Sequence, residues 1–342
     1  MMPMKKLKNR KVLKKIKNII MGECKMKIVM VEPINISMTK LEEYRQRFEA
    51  EGHQLTAYSK RAESDEEMIK RAETADILII ANQPLSAEVI NSCSNLKMIS
   101  VAFTGFDHIA MEACQENDIL VANSSGYANQ AVSELVFGLT IELMRNIKDS
   151  DQAVRASKTR AGLIGNELAG KNFGVVGFGS IGQKTARIAE AFGCNILVDN
   201  HKKSEVGEEL EVEYLELDKL MQKSDIVSLH VPLKEATVDL IDAEKISQMK
   251  NSAILINTAR GPVVNSQALA SALNNEEIAG AGIDVFEMEP PIPEDHPLLN
   301  AKNTILTPHT AFATEEAFLK RAEIVFANIE KWLAGEPQNV VN

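Results

Sequence analysis

The chain has 342 residues, 45% of them hydrophobic and 25% charged, with a formal net charge of −10. That length accommodates two ordinary domains, each with its own core, and the composition is that of a soluble globular protein, which the scattered cysteines place in the cytoplasm. No run approaches the eighteen or so apolar residues of a membrane span, which excludes a helical membrane protein.

The first segment in chain order is basic. Residues 1–25 hold nine of the 38 Lys and Arg and one of the 48 acids, leaving 29 basic against 47 acidic residues, a net −18, in the rest. A body that acidic argues against nucleic acid as the main partner. The extension lacks the apolar run and small-residue cleavage site of a secretory signal. Gly22-Glu23, whose codons can form a ribosome-binding sequence, precede Met26. Translation of the native protein is therefore expected to begin at Met26.

From Met26 short apolar runs alternate with amphipathic stretches. Strands are predicted at 27–31, 76–81, 96–103 and 119–123, with helical patterns such as "KLEEYRQRFEAEG" between them. Such alternation specifies a parallel sheet with helices on both faces, an α/β fold. Residues 128–147 read as a long, mostly apolar helix, expected to be buried between domains or subunits. A second alternating series follows ("NFGVVGFG", "CNILVDN", "SDIVSLHVP", "SAILINTAR", "AGAGIDVF", "NTILTPH"), then a last helix over 315–335. The four cysteines (Cys24, Cys93, Cys114, Cys194) show no metal-ligand spacing, so reduced thiols and no metal site are expected.

In the second series Gly177-x-Gly179-x-x-Gly182 directly follows an apolar strand and opens a helix, and the next strand ends at Asp199. Glycine permits the tight turn, the close approach of a pyrophosphate and the packing of helix on strand, while an acid about 20 residues on can grip a ribose. A dinucleotide site follows from the whole array, where the three glycines alone would be weak. Asp199 disfavours a 2′-phosphate and so favours NAD, although His201, Lys202 and Lys203 leave NADP open.

Three later segments, "INTARGPVVN", "GAGIDVFEMEPP" and "TPHTAF", each place a polar residue just after a predicted strand. Ligands of open α/β sheets bind at the carboxyl ends of the strands. Arg260, Glu289 and His309 thus become candidates for one site. Alone, each has an ordinary structural explanation: a strand-end cap, an exposed acid in a Pro-rich loop, a satisfied core histidine. Their joint placement after a dinucleotide fold favours catalysis. His230 is expected to be structural, and His296 to lie on the surface.

These motifs, in this order, resemble the D-isomer-specific 2-hydroxyacid dehydrogenase family, and the resemblance runs from about Met26 to the C-terminus. It implies two Rossmann-like, doubly wound parallel-sheet domains with the active site in the cleft between them. The substrate-binding domain would comprise 26–127 plus 312–342, and the dinucleotide-binding domain 128–311. By motif position Arg260 matches the substrate-binding arginine, Glu289 the acid paired with the catalytic histidine, and His309 the proton donor and acceptor. In "VAFTGFDHI", Thr104 and Gly105 match the loop whose backbone N–H groups hold the substrate carboxylate. Ser180 and Ile181 match pyrophosphate contacts, Pro232, Thr258 and Asp284 the lining of the adenine or nicotinamide side, and Val132 a position packed near the ring. The family's ribose acid falls opposite Asn200, one residue after Asp199.

The chemistry is consistent with these roles. A planar guanidinium matches the carboxylate and adjacent carbonyl of a 2-oxo acid. A carboxylate beside an imidazole orients the ring and favours its charged form. The expected activity is hydride transfer between NAD(P)(H) and a small D-2-hydroxy acid/2-oxo acid pair such as glyoxylate or hydroxypyruvate. Phosphate-specific relatives carry an arginine after the third strand, whereas 79–86, "IIANQPLS", has no cation; that favours a small, unphosphorylated substrate. The family implies a homodimer. An NAD(H)-sensing corepressor-like binding protein and a formate or phosphite dehydrogenase on the same scaffold are the competing expectations.

Overall fold

In the computed structural model, which describes residues 25–342, the apolar runs become strands of two all-parallel sheets. The basic extension, apart from Lys25, and Cys24 lie outside the described residues. Two compact units result: the chain up to Tyr127 together with Thr314–Asn342, and Ala128–Ala313.

The first unit carries a five-stranded sheet in the order β2-β1-β3-β4-β5. Its strands are β1 (Lys27–Met30), β2 (Gln54–Ala57), β3 (Ile77–Ile80), β4 (Met98–Val101) and β5 (Leu120–Ala122). β3 and β4 are buried throughout, the pattern of central strands covered on both faces. The last helix, Glu315–Leu333, closes one face: Ser100 Oγ donates to Val325 O at 3.0 Å, and Trp332 and Phe326 are buried beneath it. At its start Thr314 accepts the N–H of Ala317, satisfying one of the helix's orphan donors.

The second unit carries seven strands in the order β12-β11-β10-β9-β6-β7-β8. They are β6 (Asn172–Val176), β7 (Asn195–Asp199), β8 (Glu213–Tyr214), β9 (Ile226–Leu229), β10 (Ile254–Asn257), β11 (Gly280–Ile283) and β12 (Thr304–Leu306). The order reverses between β6 and β9, and that switch point is where a doubly wound sheet binds its ligand.

The apolar helix, Asn129–Arg145, packs on the sheet of its own unit. Its buried residues Val136, Phe137, Leu139 and Met144 join a core with Phe173, Val175, Ile254 and Ile256 of its own unit's sheet. Its apolar excess is therefore used in covering that sheet, where each fully buried aliphatic side chain contributes about 1.5–3 kcal/mol. Among the described residues no helix is long and apolar enough to cross a membrane.

Candidate active site

The switch point of the second unit holds the Gly-rich turn. Gly177 has φ +91°, and a Cβ there would lie 2.8 Å from the carbonyl oxygen of His230, which follows β9. A Cβ on Gly182 would lie 2.2 Å from Gly177 O, so only glycine lets the helix Ser180–Ala191 start so close to the strand. Gly179, by contrast, is exposed with nothing within 4 Å of its Cβ position, and it caps the helix without a side chain. The first-turn N–H groups, those of Ser180 and Ile181 included, thus begin at an open, glycine-lined surface, the arrangement that accepts a phosphate.

Around this turn Asn200 Oδ1 accepts the N–H of Phe178 at 3.2 Å, and Gly177 donates to Asp199 O at 2.9 Å. Asn200 therefore closes the loop. The half-buried Asp199 carboxyl accepts no hydrogen bond among the described residues, and burial, then Glu216, raises its pKa. Thr258 Oγ1 is buried without a partner, one residue past β10. An open N-terminal turn, an unengaged carboxylate and an orphaned hydroxyl at the carboxyl edge of one sheet fit a dinucleotide. Val132 is buried on the helix Asn129–Arg145, beside Ser133, whose hydroxyl reaches Ile181 O at 3.4 Å. Pro232 is exposed after β9, its carbonyl accepting the hydroxyl of Thr237.

The other candidates extend from the neighbouring strands. Asn257, Ile283 and Leu306 are in register across β10, β11 and β12. Arg260 lies three residues beyond Asn257, and His309 three beyond Leu306, so their backbones start two strand spacings apart, about 10 Å. Asn257, 1% exposed, shapes the first turn: its side chain donates to Arg260 O at 2.9 Å and accepts from Ala259 N at 3.0 Å.

His309 stands in the left-handed region at φ +53°, unusual for a residue with a Cβ. Asp284, fully buried one residue past β11, holds it there. Oδ1 accepts the Thr307 hydroxyl at 2.6 Å and the Thr310 N–H at 2.8 Å, Oδ2 accepts the Ala311 N–H at 3.0 Å, and Asp284 O accepts the His309 N–H at 2.8 Å. Burial raises the pKa of this carboxyl, and the three donors oppose the rise. Asp284, expected to line the cofactor, thus has its side chain engaged by the 307–311 loop.

Glu289 meets the His309 ring, with Oε1 and Oε2 at 2.8 and 3.0 Å from Nδ1. A carboxylate only accepts, so Nδ1 carries hydrogen and Nε2 is the atom left for proton exchange. Phe312 sets its ring edge-on to the imidazole at 5.1 Å. In the same stretch of chain, His296 is partly buried. Its side chain is 10% exposed, Nε2 is 2.9 Å from Glu287, and the ring stands perpendicular to Phe286. His230 is structural as expected: its Nε2 pairs with Ser228 Oγ at 2.9 Å, and burial pushes its pKa down to about 3.

Other chemistries find little support here. Among the described residues no group of three His, Cys, Asp or Glu could hold a metal. Cys93, Cys114 and Cys194 are buried free thiols, each pushed by burial up to about 11, far from a nucleophilic thiolate. Thr104 and Gly105 follow β4 in the first unit, where Thr104 O accepts the Asn123 amide at 2.7 Å.

Comparison with known proteins agrees with this geometry. Residues 137–311 match the profile of the D-isomer specific 2-hydroxyacid dehydrogenase NAD binding domain. A hydroxypyruvate reductase of Blautia hydrogenotrophica is 37% identical over 286 residues, covering 81% of this chain and 88% of that protein. A glyoxylate reductase of Korarchaeum cryptofilum is 38% identical over 283 residues, covering 80% and 85%. Among solved structures, an acyclic imino acid reductase in complex with NADPH and D-Arg superposes with a TM-score of 0.84 at 31% identity, covering 93% of this chain and 100% of that one.

Proposed function

The chain belongs to the D-isomer specific 2-hydroxyacid dehydrogenase family and is an NAD-dependent oxidoreductase, and on that premise we propose that it reduces a small 2-oxo acid of the glyoxylate or hydroxypyruvate kind with His309 as proton donor. The observation that carries this reading is the Glu289–His309 pair, which fixes hydrogen on Nδ1 and turns Nε2 to proton exchange.

NAD(H), when bound, supplies or removes the hydride. The rest is the work of this chain's residues. Arg260 binds the carboxylate and carbonyl oxygen through its planar fork. As charge develops on that oxygen, His309 delivers the proton from Nε2, and in the reverse direction takes it back. Glu289 holds the tautomer and stabilises the charged ring, an assistance worth roughly 10²–10⁴-fold in rate. Asp284 and Asn257 keep the two loops in shape. Ser180, Ile181 and the three glycines hold the pyrophosphate, Thr258, Pro232 and Val132 line the rings, and Asp199 grips the ribose and disfavours a 2′-phosphate. Asn200 supports the turn. Thr104 and Gly105 supply N–H groups to the substrate carboxylate, and the enzyme works as a homodimer in the cytoplasm.

The test is nicotinamide absorbance with a panel of 2-oxo acids and both NADH and NADPH. Turnover is expected with at least one small acid, faster with NADH, and Arg260→Ala should raise its KM steeply. A protein that binds NADH yet turns over none of them would be a cofactor sensor instead. Reduction of NAD by formate or phosphite alone would likewise overturn the reading.

A further inference from the structure

The last helix, Glu315–Leu333, buries eight residues, and six of them are apolar or aromatic. The exceptions are Arg321 and Asn328, 2% and 0% exposed. About two turns apart, they lie on one face of the helix. Buried polar side chains cost stability unless their hydrogen bonds are made, so the partners of these two show what the helix secures with them.

Both reach the carboxyl edge of the first unit's sheet. Asn328 Nδ2 donates to Asn123 O, just past β5, at 2.9 Å. Its Oδ1 accepts the side-chain amides of Gln338 and Asn339 at 3.2 and 2.8 Å. Arg321 Nη2 donates to Ile34 O, in the loop after β1, at 2.7 Å. Its guanidinium stands 4.8 Å from the ring of Phe318 and 5.6 Å from those of Phe103 and Tyr127, all within the range of cation–π attraction. Burial pulls its pKa down, opposed by Tyr127, to which it is hydrogen-bonded, and by Glu32.

The residues gripped in this way set the direction of two peptide N–H groups. Phe103 O accepts the N–H of Ser124 at 2.9 Å, and Thr104 O accepts the Asn123 side-chain amide at 2.7 Å. In a trans peptide the N–H points opposite to the carbonyl that precedes it. The N–H groups of Thr104 and Gly105 are therefore both turned away from 123–124, and neither meets an acceptor among the described residues. They are the groups proposed above to hold the substrate carboxylate. Asn328 fixes residue 123 by its carbonyl, and Arg321 fixes the ring of Phe103, one residue before the pair.

We propose that Arg321 is a positioning residue, holding the 103–105 loop with the N–H groups of Thr104 and Gly105 directed at the substrate carboxylate and so setting the affinity for 2-oxo acids. This deepens the reading of the enzyme as a 2-oxo acid reductase and rests on it. A purely structural arginine would be dispensable here, because replacing a buried charge by an apolar side chain of similar volume is often neutral or stabilising. Arg321→Met therefore separates positioning from packing.

The test measures KM and kcat for the best 2-oxo acid, the Ki of oxamate with NADH bound, the Kd of NADH and the melting temperature. Arg321→Met should raise KM and the oxamate Ki together by about tenfold or more, the range of one charge-assisted hydrogen bond. Its kcat and NADH Kd should stay within about twofold, well below that range, and its melting temperature should not fall. Arg321→Lys keeps a cation among the three rings and should lie between Arg321→Met and the intact chain. If Arg321→Met does not fold, Arg321→Lys decides the case: KM and oxamate Ki raised about threefold at constant kcat uphold the proposal, and unchanged values overturn it. Unchanged KM and Ki in a folded Arg321→Met, or equal losses in KM, kcat and NADH Kd with a lower melting temperature, would overturn it while leaving the reductase reading in place. Absence of turnover by the intact chain with every acid would instead overturn the reductase reading, and this proposal with it.

Discussion

Asp284→Asn asks whether one buried carboxylate holds the loop that presents His309. The carboxylate takes the Thr307 hydroxyl and Thr310 N–H on one oxygen and the Ala311 N–H on the other. An amide of the same shape has one oxygen and one NH2, so in either orientation a donor faces a buried donor. With its oxygen toward Thr307 and Thr310, the N–H of Ala311, which is 3% exposed, loses its acceptor. A buried donor left unsatisfied costs about 1–3 kcal/mol. Removing the charge offsets part of this, since burial already raises the pKa of Asp284. The loop also holds His309 at φ +53°, a conformation that disfavours a residue with a Cβ by roughly 1–2 kcal/mol. A weakened anchor therefore lets it relax. A net cost of about 1.4–2.8 kcal/mol weakens the competent arrangement relative to the relaxed one by ten- to a hundredfold. In the NADH oxidation assay kcat should fall by that factor, while NADH affinity from fluorescence titration stays within about threefold. Unchanged kcat would refute the anchoring role, and a large loss of NADH affinity at constant kcat would return Asp284 to the cofactor.

Gly261→Ala should abolish activity and lower the melting temperature, because its Cβ would lie 1.9 Å from the backbone of Phe286, in the segment that leads to Glu289; a variant with normal activity would contradict that close approach. His296→Ala should lower kcat by releasing Glu287 and loosening the loop that carries Glu289, and His296→Gln, a neutral donor, should restore it; equal rates in all three proteins would rule the brace out. His230 has a native pKa of about 3, below the ordinary 6.5. The folded state thus resists its protonation, and stability is full above pH 6.5 and lost as the pH falls toward 3, by up to about 1.4 kcal/mol per pH unit. Denaturant titrations at pH 7 and pH 5 should show a smaller difference for His230→Asn, and an undiminished difference would contradict this.

What the sequence revealed, and what it did not, divides along physical lines. The central strands were legible because both faces are buried, leaving continuous apolar runs such as 77–80. β2 was not, because an edge strand reading "QLTA" buries only Leu55. Nor was β8, only two residues long. The glycine turn was legible because its backbone excludes a Cβ at Gly177 and Gly182. The supports of the candidate site were hidden, since nothing in a single chain text shows that Asp284 meets residues 23 to 27 positions on, or that Asn257 closes the turn before Arg260. What the apolar helix packs against was not legible, because composition records how much surface is buried and not against what.

The most direct measurement is the pair of constants kcat and NADH Kd for His309→Ala beside the intact enzyme, with the best 2-oxo acid of the panel. Proton transfer through Nε2 predicts a fall in kcat of about 10²–10⁴-fold with Kd nearly unchanged. A kcat within a few-fold of the intact enzyme would contradict it.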